Sequence, residues 1–474
     1  MSEPVPSASG PRSARPAFLL GLWLFTFAVS LTVFIGNNDD VFASPPRAII
    51  YGWDPWHYYS WLVAVTYDHD VNFRNQYLEI PNWEDHVHKD ALAEPLTPAG
   101  LLPNKYPVGW ALGSLPWFGI GTVVAKLAHP QPIAPPGFDP WQQWWALFGQ
   151  WLYGAAGLVL AAAFLARFFG PVLATYAALF GWWCSPLLAY QTKYLGMAHS
   201  QVFALVAACW LLTEQLLENP SARWRWALLG LAAGLLVATR NVAIIYLIYP
   251  VAMLAPLLPR SAPARLGVGL ATLCAFIIFI PELLAWKFLY GSWIVYTYVG
   301  EKFDWSHPHL WEELFSPKHG WLYWHPVMAV GLLGLLGALI RGNPAGRRRA
   351  GLLALTVLLA YLLNAAWQTW WFGRSFGGRA FESSTIIVMF GLAWLASIAP
   401  ARGRILLAAA GVLFASWNLN LFWLSMHEKQ SGLSLETPTT YAQMLSSTHR
   451  YYTGLFSPAP PASATPPAPS PPSS

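Results

Sequence analysis

The sequence predicts an all-α, polytopic integral membrane protein of about eleven to twelve transmembrane helices with a long extracytoplasmic first loop, and three observations predict it. Of the 474 residues, 55% are hydrophobic and only 10% charged. That leaves too few polar side chains to cover a soluble globule of this size, so lipid must cover much of the surface. Apolar runs long enough to span recur eleven times, and the connectors between them carry basic residues on every second turn, as the positive-inside rule expects.

The elements follow in order. A cytoplasmic segment, 1–16, carries Arg12 and Arg15 and leads into the first run, 17–35. That run is longer than a signal-peptide core and no cleavage site follows it, which predicts an uncleaved first helix. The first external loop, 36–106, comes next. A stretch at 107–126 is interrupted by Pro116 and several glycines and is either a twelfth span or a re-entrant hairpin. Further spans are expected at 142–166, 170–190, 197–217, 226–240, 241–258, 266–288, 321–340, 350–366, 384–400 and 405–425, all in one membrane domain, 17–426. If 107–126 does not fully cross, six basic groups fall on the cytoplasmic side: Arg12/Arg15, Arg167, Arg223/Arg225, Arg260/Arg265, Arg341 with Arg347–Arg349, and Arg402/Arg404. No other parity achieves this. The remainder, 427–474, is then extracytoplasmic and, from about 457, Pro/Ala/Ser-rich and expected to be disordered.

Other classes are excluded by composition. The net charge of +5 is spread over short connectors and forms no basic stripe, so nucleic acid is not an expected partner. Cys184, Cys209 and Cys274 lie inside apolar runs without ligand-like spacing and read as core residues. The many tryptophans and tyrosines suit rings settled at the membrane interface among lipids.

The predicted topology puts nineteen of the twenty-two acidic residues outside, ten of them in the first loop. Its most distinctive part reads Tyr51-Gly-Trp-Asp-Pro-Trp-His-Tyr-Tyr, then Tyr67-Asp-His-Asp-Val-Asn-Phe-Arg-Asn-Gln-Tyr. Residues 56–66 suit a short amphipathic helix lying in the interface. Asp54 either caps that helix, with Pro55 at its first position, or stands above the membrane as a general base for a hydroxyl. Asp68 and Asp70, flanking His69, suit orienting an acceptor, or a solvated turn; they leave a divalent ion open without naming enough oxygen ligands for one. No metal site and no cofactor is assigned.

Arg240 falls between two apolar segments, where a cation needs a polar cavity or headgroups. Arg374 and Arg379 lie among Gly373, Gly377 and Gly378, a setting that lets the backbone approach a phosphate and leaves the guanidinium groups free. Lys105 and Lys318 complete the cations expected near the outer interface.

In the order of these features the sequence resembles the C-type superfamily of membrane glycosyltransferases, especially bacterial relatives of the protein O-mannosyltransferase and aminoarabinose transferase group. The matching residues are Asp54 with His57-Tyr58, Asp68-His69-Asp70 with Asn75-Gln76-Tyr77, Asn104-Lys105-Tyr106-Pro107-Val108-Gly109, Ser316-Pro317-Lys318-His319-Gly320 and Trp371-Phe372-Gly373-Arg374-Ser375-Phe376-Gly377-Gly378-Arg379, spread over roughly 17–400. One departure is that Pro55 stands where members often have a second acidic residue. The resemblance implies an enzyme of the bacterial cytoplasmic membrane with its site on the extracytoplasmic side. It would transfer a sugar from a polyprenyl-phosphate donor to a lipid, glycan or protein acceptor, with inversion. Asp54 would be the base, and His57, Tyr58, Asp68, Asp70, Lys105, Arg240, Lys318, His319, Arg374 and Arg379 would contact the substrates. A transporter or flippase is the alternative, although transporters place ionisable groups at mid-membrane.

Overall fold

A computed structural model describes residues 16–44, 46–80 and 85–456. The N-terminal arginines Arg12 and Arg15 and the Pro-rich tail from 457 lie outside the described residues. The chain is 73% helical, with no strand among the described residues, and seven helices are long and apolar enough to cross a membrane.

Helix α1 (Pro16–Asn37) is followed by a loop that contains α2 (Trp53–Val63), and the apolar stretch after that loop forms α3 (Gly109–Ala128). Helix α4 (Pro140–Trp183) begins at an Asp139 capping box, which satisfies the first free N–H groups. Gly170, with φ 74° and ψ 163°, then breaks α4 into two antiparallel legs. Their pairing is visible where Gly154 on the first leg packs against Gln191, whose Oε1 accepts from Trp182 Nε1 at 2.9 Å. The two expected spans at 142–166 and 170–190 are these legs.

Helix α5 (His199–Glu218) is the buried centre of the bundle, and α6 (Arg223–Thr239) and α7 (Asn241–Leu257) follow it. Helices α8 (Ala262–Tyr290), α9 (Val327–Arg341), α10 (Pro344–Ala365), α11 (Thr385–Ile398) and α12 (Ala401–Met426) complete the bundle, and α13 (Tyr441–Phe456) lies after it. Small residues draw the helices together, since van der Waals packing drives association in lipid. Gly230 and Gly234 of α6 meet the backbone of Ala271 and Ala275 in α8, and Gly331 of α9 meets Gly391 of α11.

The basic connectors gather at one end. There Arg167 pairs with Glu218, Arg225 donates to the Gln215 carbonyl at 3.1 Å, and Arg348 donates to Ala252 O at 2.7 Å. Arg349 grips the buried Glu214 with two bonds of 3.0 and 2.7 Å. His199, at the other terminus of α5, marks the opposite end.

Helix α3 starts at that opposite end. Its start packs on Ala238 and Thr239 at the end of α6. From there it runs antiparallel to the first leg of α4, with Ser114 bonded to Gln150 at 2.8 Å and Gly121 against Trp141 and Gln142. It ends where His129 meets Asp139 at the start of α4, 2.8 Å away. The stretch 107–126 is thus one continuous helix through Pro116 and not a hairpin, and it is among the helices long and apolar enough to cross a membrane.

Candidate active site

Helix ends build the site. Helix α2 starts at Trp53, with Gly52 as N-cap at φ 88°, so the start is earlier than the sequence suggests and Asp54 stands in the first turn without a capping bond. Residues 55–63 are buried throughout, so α2 is packed inside the protein and is not an amphipathic helix lying in the interface. Freed from capping, the Asp54 carboxylate accepts from Tyr106 Oη at 2.6 Å and faces Arg379 Nη2 at 3.5 Å. Burial first, and then Asp54, push the Tyr106 phenol well above its usual range, so it stays protonated and donates.

The segment that carries Tyr106 is laced to α2. Asn104 Nδ2 donates to His57 O at 2.8 Å, and Trp61 Nε1 donates to Tyr106 O at 2.9 Å. The loop 191–198 covers the other side: Gly196 packs on Pro55, and Met197 Sδ lies 3.7 Å from Arg379 Nη1. Beneath the arginine, Glu382 is 1% exposed and meets His199 Nδ1. Burial pushes its carboxyl well up, against the pull of Arg240 and Arg379.

Pro55, Tyr106, Met197 and His199 line one cavity of about 1070 Å³, shared by Asp54, Tyr58, Lys105, Arg240, Arg374 and Arg379 of the predicted set. Their states differ. Lys105 is engaged by Glu301 at 2.5 Å and lies 5.3 Å from the Tyr298 ring centroid. Arg374 is turned away toward Glu428 at 2.6 Å and Glu436 at 3.4 Å. Arg240 leaves helical geometry at φ −153° and ψ 106° between α6 and α7, and among the described residues it makes no ion pair. A break in the helix at this depth is tolerable where it lines a cavity, and it leaves a guanidinium ready for an anion.

The other predicted residues lie outside the cavity lining. His57 is buried behind α2, its Nδ1 2.7 Å from Trp53 O, and burial pushes it down to about 4. Asp68 accepts from Asn75 at 2.8 Å and from Gln76, and Asp70 accepts from the Asn72 N–H at 3.0 Å, so both close their own loop. Lys318 lies over Trp371 at 4.2 Å, one ring removed from the cavity. His319 is buried at φ 66° against Trp324. Among the described residues no group of three or more His, Cys, Asp or Glu is placed to share a metal ion.

Sequence reasoning missed Lys193, Glu382 and Tyr298, of which Lys193 and Tyr298 line the cavity. Glu382 had a readable signal, an acid just before an apolar run and three residues after Arg379. Lys193 in its short connector had none.

No family model matches the sequence, and no curated protein does. The structure is similar to the apo crystal structure of the Archaeoglobus fulgidus oligosaccharyltransferase, with a TM-score of 0.51 at 12% identity over 93% of this chain. This chain spans 57% of that protein's length. ArnT from Cupriavidus metallidurans gives TM-scores of 0.48 in its apo state and 0.46 bound to undecaprenyl phosphate, each at 14% identity over 92% of this chain and 75% of the other. The likeness to the archaeal oligosaccharyltransferase is one of fold.

Proposed function

We propose that this chain is an inverting glycosyltransferase that moves a sugar from a polyprenyl-phosphate donor to an acceptor hydroxyl, with Asp54 as general base. The observation that carries the reading is one cavity lined by a carboxylate, Asp54, by Arg379 facing it at 3.5 Å, and by Arg240, which makes no ion pair among the described residues. The fold shared with an oligosaccharyltransferase supports the general class. The basic connectors gather at the end away from the cavity, which supports an extracytoplasmic site by the positive-inside rule. Sugar nucleotides are cytoplasmic, so an outward site calls for a donor carried on lipid.

In the reaction, Asp54 accepts the proton of the acceptor hydroxyl as that oxygen attacks the anomeric carbon. The bond from that carbon to the phosphate oxygen breaks on the opposite face, and the polyprenyl phosphate leaves with the electron pair. Arg240 and Arg379 meet the charge that develops on the phosphate. Inversion requires the sugar to lie between base and phosphate, so donor entry parts the long Arg379–Asp54 contact, while Tyr106 keeps the carboxylate aimed.

The test mixes purified protein with a radiolabelled polyprenyl-phosphate sugar and a membrane extract as acceptor. Wild type transfers label, and Asp54→Asn lowers the rate about 10²–10⁴-fold, the usual worth of a general base. Label transfer that survives in Asp54→Asn removes Asp54 as base. Absence of transfer from every such donor favours a transporter.

A further inference from the structure

The cavity has a second cationic pole that the reaction above does not use. Lys193, from the loop 191–198, lines the cavity with its ammonium 5.4 Å from the Tyr194 ring centroid, and among the described residues no carboxylate pairs with it. Arg374 lines the same wall, close enough for its charge to act on Lys193. Gly373 at φ 65°, just before Arg374, and Gly377 at φ 64°, between the two arginines, turn the chain, so Arg379 faces Asp54 while Arg374 faces the C-terminal strap, 427–440.

That strap supplies the pole with carboxylates of its own. Glu428 holds Arg374 at 2.6 Å, whereas Glu436, itself a cavity-lining residue and 67% exposed, reaches it only at 3.4 Å. The strap is tied down beyond this point, where Thr439 N–H donates to Pro317 O at 3.2 Å and Tyr441 stacks on Tyr323. A loosely held, solvated carboxylate on a cation inside a substrate cavity occupies a position that an anionic ligand can take over, because the cation keeps an anionic partner and the displaced carboxylate stays in water.

We infer that Lys193 and Arg374 form a second anion subsite, and that the acceptor bears a phosphate or carboxylate group which displaces Glu436 from Arg374. The inference rests on the transferase reading for the word acceptor, but the subsite stands on its own geometry. Two observations assign it to the acceptor and not to the donor. A sugar linked through one phosphate presents a single anionic group, which Arg240 and Arg379 already meet. Arg374 is 55% exposed against 14% for Arg379, so the second pole opens toward water, from which an acceptor with a polar head arrives, while the first lies inside. Burial, with Arg374 adding to it, pushes the Lys193 ammonium down to about 8, which fits a cation held short of its counter-ion.

The experiment uses full-length protein in nanodiscs, with radiolabelled farnesyl phosphate as the donor-lipid probe and inorganic phosphate as the probe of the second pole. With farnesyl phosphate saturating, wild type binds one further phosphate by calorimetry. Lys193→Gln and Arg374→Gln each weaken that second binding about tenfold, the loss of one charge-assisted contact. Both leave farnesyl phosphate affinity within about twofold, the change expected at sites outside its contacts. Glu436→Gln strengthens the second phosphate, because the competing carboxylate is gone. The inference is overturned if wild type binds no second phosphate, or if Lys193→Gln and Arg374→Gln weaken farnesyl phosphate as much as Arg379→Gln does. If wild type binds inorganic phosphate but not farnesyl phosphate, the donor reading fails and the anion subsite survives.

Discussion

Replacing Gly109 with alanine tests whether the site depends on a backbone junction remote from the reacting atoms. A Cβ at this position would lie 2.3 Å from Ala238 C and from Thr239 N, where ordinary contact begins at 3.4 Å. The obstacle is backbone, so α3 and the end of α6 must part by about 1 Å, the difference between those contacts. Three bonds resist that movement. Gln201 Nε2 donates to Gly109 O at 2.8 Å and to Thr239 Oγ1 at 2.7 Å, and Val108 N–H donates to the buried Glu282 at 2.8 Å. Lys105 and Tyr106 precede this junction and Arg240 follows it, so the shift separates the aromatic support of Asp54 from Arg240. A misplacement of about 1 Å in a positioned site costs on the order of 10²-fold in rate, and the overpacking costs about 1–3 kcal/mol of stability. The assay is kcat/KM for label transfer, with the melting temperature in nanodiscs as a companion. Gly119→Ala is the control, since that position in the same helix has nothing within 4 Å. Gly109→Ala with near-normal kcat/KM and an unchanged melting temperature would refute the reasoning.

Further outcomes follow from single contacts. Arg379→Gln weakens farnesyl phosphate binding about tenfold or more, by loss of a charge-assisted bond, and filter binding measures it. Arg349→Met strands the Glu214 carboxylate, which is 4% exposed and also bonded by Tyr249 at 2.5 Å, and costs about 3–5 kcal/mol; thermal unfolding reads this, and adding Glu214→Gln recovers part of the loss. His57 and His319 are both pushed down to about 4 by burial, from 6.5. Between those values the unfolded chain binds more protons than the folded one. Stability is therefore full above pH 6.5 and lost as pH falls toward 4, by at most about 1.4 kcal/mol per pH unit for each histidine. Melting temperatures from pH 7 to 4.5 check this, and His57→Phe should flatten the slope.

The spans were legible because a helix in lipid must be apolar over its length, and that pattern needs no tertiary knowledge. The legs on either side of Gly170 and the buried α5 were found this way. The continuity of 107–126 was not, because Pro116 and several glycines read as interruptions, whereas the structure carries one helix through them. Asp54 could be picked out as an acid among aromatic residues of the first loop, Arg240 as a cation between apolar segments, and Arg379 as a cation among glycines. The separation of Arg374 from Arg379 could not: they are five residues apart in a glycine-rich loop, and their divergence depends on positive φ at Phe372, Gly373 and Gly377. His57 was singled out by the resemblance alone, and on α2 its side chain lies outside the cavity lining and packs on Tyr77 and Tyr106.

The location of the chemistry has a physical cause. A helix terminus leaves backbone N–H groups without partners, and in a bilayer such groups must be satisfied by protein or by a water-filled cavity. The starts of α2, α3, α5 and α11 and the break at Arg240 all gather at one end of this bundle. The N-terminal ends carry partial positive charge, which adds to the arginines and favours an anion there even before a side chain is chosen. Asp54 and Glu382 sit in that positive field, and Asp54 there faces Arg379 at 3.5 Å. On this account, moving Arg240 one residue into α6 or α7 would do more harm than changing it to lysine, because the position depends on the interrupted helix as much as on the charge.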